Sequence, residues 1–135
     1  MSRAVRELLC VEDNLGDLRL LREALDILQL PHHLHHAGDG EQALAYLRRA
    51  QAGQEPWPDA VLLDLNLPRK SGVEVLAELG ADTQLRQLRV IVLTTAAPER
   101  ASVVGAQAQP VCFMTKPLDF DDFVGVVERI DRLIT

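Results

Sequence analysis

Apolar and polar positions along the chain alternate between two rhythms. Short runs of strand character occur at Glu7–Val11, His33–Ala37, Ala60–Asp64, Arg89–Thr94 and Val111–Thr115. Between them, apolar residues recur three and four apart, the spacing that lays one stripe along a helix. Leu18, Leu21, Leu25 and Leu28 form such a stripe in the first stretch, and Phe120, Phe123, Val127, Ile130 and Ile134 in the last. Asp39 with Gln42, and Ser71 with Glu74, have capping-box spacing, and Pro98 suits a first helical turn. Gly53 and Pro56-Trp57-Pro58 read as stops, the latter as a rigid loop before the third strand.

Five strands in strict alternation with five helices predict an α/β fold. Each parallel return needs a crossover, so the sheet is expected to be parallel with helices on both faces. The third strand, Ala60-Val61-Leu62-Leu63-Asp64, is apolar up to its final residue, as a strand covered on both sides should be. No repeat or low-complexity segment interrupts the pattern. A single domain over residues 1–135, with no output module after the last helix, is the expectation.

Composition narrows the class of function. The 135 residues suffice for one hydrophobic core, and 47% hydrophobic with 25% charged residues is the balance of a globular protein. A formal charge of −6 argues against a nucleic-acid partner, which would need clustered Lys and Arg. No apolar run approaches a bilayer span and the N-terminus is too charged for a signal peptide, so no membrane role and a cytoplasmic location are expected. Cys10 and Cys112 both sit in apolar runs and read as small buried hydrophobes.

The polar residues that break the pattern carry the chemistry. Open α/β sheets bind ligands at the carboxyl ends of their strands, where strand order reverses. Glu12-Asp13 follows the first strand, Asp64 closes the third, Thr94 closes the fourth and Lys116 follows the fifth. With strand order 2-1-3-4-5, Glu12, Asp13 and Asp64 converge in one pocket. Three such carboxylates repel one another unless a cation relieves them, and a hard, oxygen-seeking ion such as Mg²⁺ is suited to this. A carboxylate is also a nucleophile toward phosphorus. Phosphoryl transfer asks the protein for in-line positioning and neutralised oxygens, to which Lys116 and Thr94 can add.

The runs Leu8-Leu9-Cys10-Val11-Glu12-Asp13-Asn14, Val61 to Gly72, Val90 to Thr95 and Phe113 to Pro117 resemble the receiver domain of bacterial two-component response regulators, the CheY-like family. That resemblance spans essentially the whole chain. It implies that Asp64 is the phosphoacceptor and that Mg²⁺ is held by Asp13, Asp64 and the backbone carbonyl of Asn66, with Glu12 acting through a water. It further implies that Lys116 contacts the phosphoryl oxygens, that Pro117 occupies a cis-proline position, and that Thr94 and Phe113 form the switch. The phrases from Val11 to Leu21, from Asp64 to Pro68 and from Val92 to Thr95 look most like stand-alone receivers serving phytochrome-type histidine kinases. Those relatives often form homodimers through the fourth helix, fifth strand and fifth helix. A sensor histidine kinase of the bacterial phytochrome type and a downstream protein or phosphotransfer partner are the implied contacts. Such a chain is a phosphoacceptor signalling protein, not an enzyme acting on outside substrates.

Several positions depart from the family pattern. Phe113 stands where many relatives have tyrosine, and Ser71 where Asp or Asn is common. Thr95 replaces a frequent alanine, and its bulk is expected to shield the phosphorylated site from water. Gly105-Ala106 through Pro110 departs from the usual exit of the fourth helix.

Each residue also has an ordinary reading. Glu12-Asp13 alone would be a solvated turn, Lys116 a surface lysine, Thr94-Thr95 strand filler and Phe113 core. The run His32, His33, His35 and His36 hints at a metal site, but neighbours on a strand point to opposite faces, so an exposed loop and edge strand is the simpler reading. Arg48-Arg49 suits a solvated helix end. Among rival functions, an FMN binder would not place acids after the first strand. An Asp-x-Asp phosphatase would need a second acid where Asn66 stands. A pseudo-receiver, a docking module with the same fold, would usually lack the acidic pocket or the lysine.

Overall fold

The computed structural model describes residues 4–94 and 111–134. In chain order these form β1 (Arg6–Val11), α1 (Leu15–Ile27), β2 (His32–Ala37), α2 (Gly40–Gln51), β3 (Ala60–Leu63), α3 (Gly72–Ala81), a 3-10 turn (Leu85–Gln87), β4 (Val90–Thr94), β5 (Val111–Thr115) and α4 (Phe120–Ile134). The five strands make one sheet of order β2-β1-β3-β4-β5, all parallel. α4 is the fifth helix of the sequence reading. The helix expected after β4, with Thr95, Pro98 and Gly105 through Pro110, lies outside the described residues.

Alternation along the strands explains why both faces are covered. Leu9, Val11, Val61, Leu63, Val90 and Val92 face a core closed by α2 and α3. Leu8, Cys10, Leu62, Ile91, Leu93 and Met114 face the other, closed by α1 and α4. The predicted helix stripes are buried at Leu18, Leu21 and Leu25 in α1 and at Phe123, Val127, Ile130 and Ile134 in α4, while Leu28, which caps α1, and Phe120 are half-buried. Strand ends shift by one residue from the sequence reading at β1, β2, β3 and β4. Asp64 lies just past β3, although its N–H still donates to the Val11 carbonyl at 3.1 Å.

Caps and turns set where the helices start. Ser71 and Glu74 make the reciprocal capping box of α3. Asp39 caps α2 by accepting from Gln42 N–H at 2.8 Å, but the Gln42 side chain reaches back one residue further and accepts from Gly38 N–H at 2.8 Å. Gly53, at φ +77°, closes α2 as only a residue tolerant of left-handed backbone does easily.

Cys10 is buried and Cys112 half-buried, and both are free. They sit three strands apart in the sheet, at about 4.8 Å per strand, too far for a disulfide. Burial pushes the Cys10 thiol up to about 12, so it is a packed hydrophobe and not a reactive thiol.

The histidine run forms the edge strand β2. Two of its rings bond to one carboxylate on β1, His33 Nδ1 at 2.6 Å and His35 Nε2 at 3.0 Å from the two Glu7 oxygens. Burial would raise the Glu7 pKa, but these bonds from His35 and His33 outweigh it and hold the carboxyl below its ordinary value. His32 and His36 bond to the carbonyls of Leu30 and Glu12. No histidine belongs to a convergent metal-ligating group among the described residues.

One expectation is corrected. No peptide bond among the described residues is cis, so the bond before Pro117 is trans, the isomer a tertiary amide favours on its own by about 0.5–1 kcal/mol.

Candidate functional site

Strand order places the site. From β1 the chain turns one way to β2 and later returns on the other side as β3, so the loops after β1 and β3 diverge and leave a crevice. Into it project Glu12 and Asp13 from the end of β1 and Asp64 from the end of β3. Each offers one carboxylate oxygen, and these oxygens all lie within 4.8 Å of one another. Glu12 and Asp64 are each 6% exposed, whereas Asp13 is open to solvent. The oxygen-only donor set fits a divalent metal ion.

Lys116 reaches this group from β5, two strands away from β3, or about 10 Å at the usual strand spacing. That distance is why a long side chain is needed. Its ammonium lies 3.0 Å from Asp64 Oδ2, 2.8 Å from Glu12 Oε1 and 2.7 Å from Asp17 Oδ2. Burial would lower the lysine pKa, but the bonds to Asp17, Glu12 and Asp64 outweigh it and hold it above the ordinary range. Glu12 moves the other way: burial raises its pKa, against the pull of Lys116 and of the Asn14 N–H. Among the described residues the crevice is therefore short of positive charge, with Glu12, Asp17 and Asp64 around one ammonium and Asp13 beside them.

Backbone bonds hold the reactive groups still. Asp64 Oδ1 accepts from Asn66 N–H at 3.0 Å, leaving Oδ2 for Lys116. Asn14 caps α1 by accepting from Asp17 N–H at 3.1 Å, and its own N–H donates to Glu12 Oε2 at 3.0 Å. Asp17 escaped the sequence reading. The signal was available in its place in the first turn of a helix that starts on the site rim.

Gly72 sits beneath Asp64. Its N–H donates to the Leu65 carbonyl at 3.0 Å, and a Cβ here would lie 2.6 Å from Leu65 Cα and closer still to the Asp64 carbonyl. Both obstacles are backbone. Gly72→Ala is expected to lower stability by about 2–3 kcal/mol through overpacking, read as a lower urea midpoint at unchanged slope.

The remaining predicted residues lie on the same rim or beside it. Thr94 ends β4, paired with Thr115, while its hydroxyl lies outside what the structure describes. Phe113, on β5, is half-buried and packs with Leu67 against the α2–α3 core. The structure thus brings Glu12, Asp13, Asp64 and Lys116 together, with Asn66 adjoining through its N–H.

Comparison with known proteins gives a consistent picture. Residues 8–128 match the model of the response regulator receiver domain. The chain is 35% identical over 131 residues to response regulator Rcp1 of Synechocystis sp., covering 96% of this chain and 89% of that protein. The Mn(2+)-bound form of Rcp1 superimposes with a TM-score of 0.81 at 35% identity, over 93% of this chain and 91% of that one. The phosphorylated cyanobacterial phytochrome response regulator RcpA superimposes with a TM-score of 0.84 at 37% identity, over 96% of this chain and 93% of that one.

Proposed function

The chain belongs to the response regulator receiver family, and from that premise we propose that it takes a phosphoryl group from a sensor histidine kinase onto Asp64. The observation that carries this reading is the meeting of Asp64 with Glu12 and Asp13 within 4.8 Å, and with the Lys116 ammonium at 3.0 Å. Glu12, Asp13, Asp64 and the backbone carbonyl of Asn66 would hold Mg²⁺. When bound, the ion would supply positive charge to the phosphoryl oxygens.

The protein's own groups do the rest. The Asn66 N–H fixes one oxygen of Asp64, so the carboxylate presents its other face to the incoming phosphorus. The new O–P bond forms as the P–N bond to the kinase histidine breaks, and that nitrogen keeps the electron pair. Lys116 shifts its hydrogen bond from Asp64 Oδ2 to a phosphoryl oxygen. Thr94 then closes on the phosphoryl group and Phe113 turns inward, biasing the face of the helix expected after β4 between two states. Hydrolysis of the acyl phosphate resets the domain.

A kinase of the phytochrome type is the proposed donor, supported by the near full-length similarity to Rcp1 and to RcpA. A downstream protein or phosphotransfer partner is the proposed route by which the signal leaves. Homodimerisation through the β5–α4 face belongs to the same reading, and sedimentation of the phosphorylated chain reads it. The proposed location is the cytoplasm; among the described residues no helix is long and apolar enough to cross a membrane.

The test is intact-mass spectrometry after incubation with acetyl phosphate. One phosphoryl adduct in Mg²⁺ and none in EDTA is the expected result. Equal labelling in both, or none in either, would overturn it, and none in either would favour a phosphate-independent docking module.

A further inference from the structure

We propose that Asp17 is a positioning residue that keeps the Lys116 ammonium aimed at Asp64, an inference that rests on the receiver reading above. An ammonium has three N–H donors. Here three carboxylate oxygens take them, at 2.7 Å on Asp17, 2.8 Å on Glu12 and 3.0 Å on Asp64. The shortest of the three contacts is the one to Asp17.

The two anchoring residues share a support. Asn14 accepts from the Asp17 backbone N–H and donates its own N–H to the second oxygen of Glu12, so one residue holds the Asp17 backbone and the Glu12 carboxylate at the start of α1. Asp17 and Glu12 therefore act as two legs, and the third donor points at Asp64 Oδ2, from where it passes to a phosphoryl oxygen when one arrives. Without Asp17, a flexible stem spanning two strands holds the ammonium by one leg fewer, at the edge of a crevice open to water on the Asp13 side. Asp17 itself touches no reacting atom.

Charge alone predicts the opposite of positioning. Removing a carboxylate from an anionic crevice should ease the approach of an anionic phosphodonor and speed labelling. Positioning predicts slowing, so the sign of the effect discriminates between them.

The experiment measures the rate of Asp64 labelling by acetyl phosphate in Mg²⁺ for wild type, Asp17→Asn, Lys116→Met and the double variant. Asp17→Asn is expected to lower the rate at saturating donor roughly fivefold, within the range of couplings between contacting residues, with little change in the half-saturating donor concentration. In the Lys116→Met background the same substitution should change nothing further. A second measurement needs no labelling: the Lys116 ammonium should give a protected NMR signal in wild type that is lost in Asp17→Asn while the backbone spectrum is kept. Faster or unchanged labelling of Asp17→Asn, an equal slowing in both backgrounds, or a retained ammonium signal would overturn the role of Asp17 alone. Failure of wild type to be labelled at all would instead overturn the receiver reading, and the role of Asp17 with it.

Discussion

Asp64→Asn is expected to show no phosphoryl adduct under conditions that label wild type fully. The substitution preserves shape, so the loss isolates nucleophilicity. An amide oxygen lacks the charge that lets a carboxylate attack phosphorus. The surroundings add a second consequence. Asp64 accepts from two donors, Asn66 N–H on Oδ1 and Lys116 on Oδ2. An asparagine satisfies only one of them, because its NH₂ must face the other, and that mismatch costs about 1–3 kcal/mol. Against it, the substitution removes one of three carboxylates gathered within 4.8 Å. Repulsion between unit charges at that separation is roughly 3 kcal/mol per pair in a partly screened protein environment. Loss of the attraction to Lys116 at 3.0 Å nearly cancels that relief, so the metal-free variant is expected to melt close to wild type. Mg²⁺ held as proposed would stabilise wild type by binding the native state and should stabilise the variant far less. Intact mass reads the first effect and thermal melts with and without Mg²⁺ read the second. An adduct of undiminished intensity on Asp64→Asn would place the phosphoacceptor elsewhere.

The fold and most of the site were legible in the sequence because each depends on position along a strand. Period-two alternation and apolar runs mark strands, and a crossover-linked sheet puts every strand end on one rim. Once Glu12, Asp13, Asp64 and Lys116 are seen to follow strands, their meeting follows from strand order. What stayed hidden depends on rotation and contact distance. Asp17 joins Lys116 only because α1 presents its first turn to the rim, a rotation that the apolar stripe constrains loosely. The Gln42 side chain bypasses the cap it was paired with and bonds Gly38, a choice between donors one residue apart. Nothing in the sequence marked Gly72, because close approach of two backbones leaves no trace in one sequence. The trans bond before Pro117 departs from a family expectation that no local residue announces. The histidine run was read correctly as an edge strand because alternation forbids its neighbours a common face, and the rings that do share one meet Glu7.

Lys116→Met should retain the fold yet label about 100-fold more slowly than wild type, the loss seen when one charge-stabilising donor is removed from a transition state. Methionine keeps the length and flexibility of the stem, so packing along β5 is little altered. What disappears is the ammonium shared by Glu12, Asp17 and Asp64. The metal-free variant is therefore expected to be less stable than wild type at neutral pH by about 2 kcal/mol, less than the 3–5 kcal/mol of a fully buried pair because water reaches the crevice. The pH dependence has a definite sign. Lys116 has a folded pKa above its unfolded value of 10.5, so its contribution is complete at neutral pH and fades only as pH rises through the folded pKa. At the acid end the deficit of the variant shrinks for a different reason. Burial already raises the Glu12 pKa, loss of Lys116 raises it further, and protonation then relieves the repulsion that the lysine had neutralised. Mg²⁺ should stabilise the variant more than wild type, since the ion becomes the crevice's only cation. Slow labelling with a larger Mg²⁺ effect on melting would separate the catalytic part of Lys116 from its neutralising part. Wild-type labelling in Lys116→Met, with the stability deficit present, would assign the ammonium to charge balance alone and leave phosphoryl stabilisation to the metal and the rim of β4.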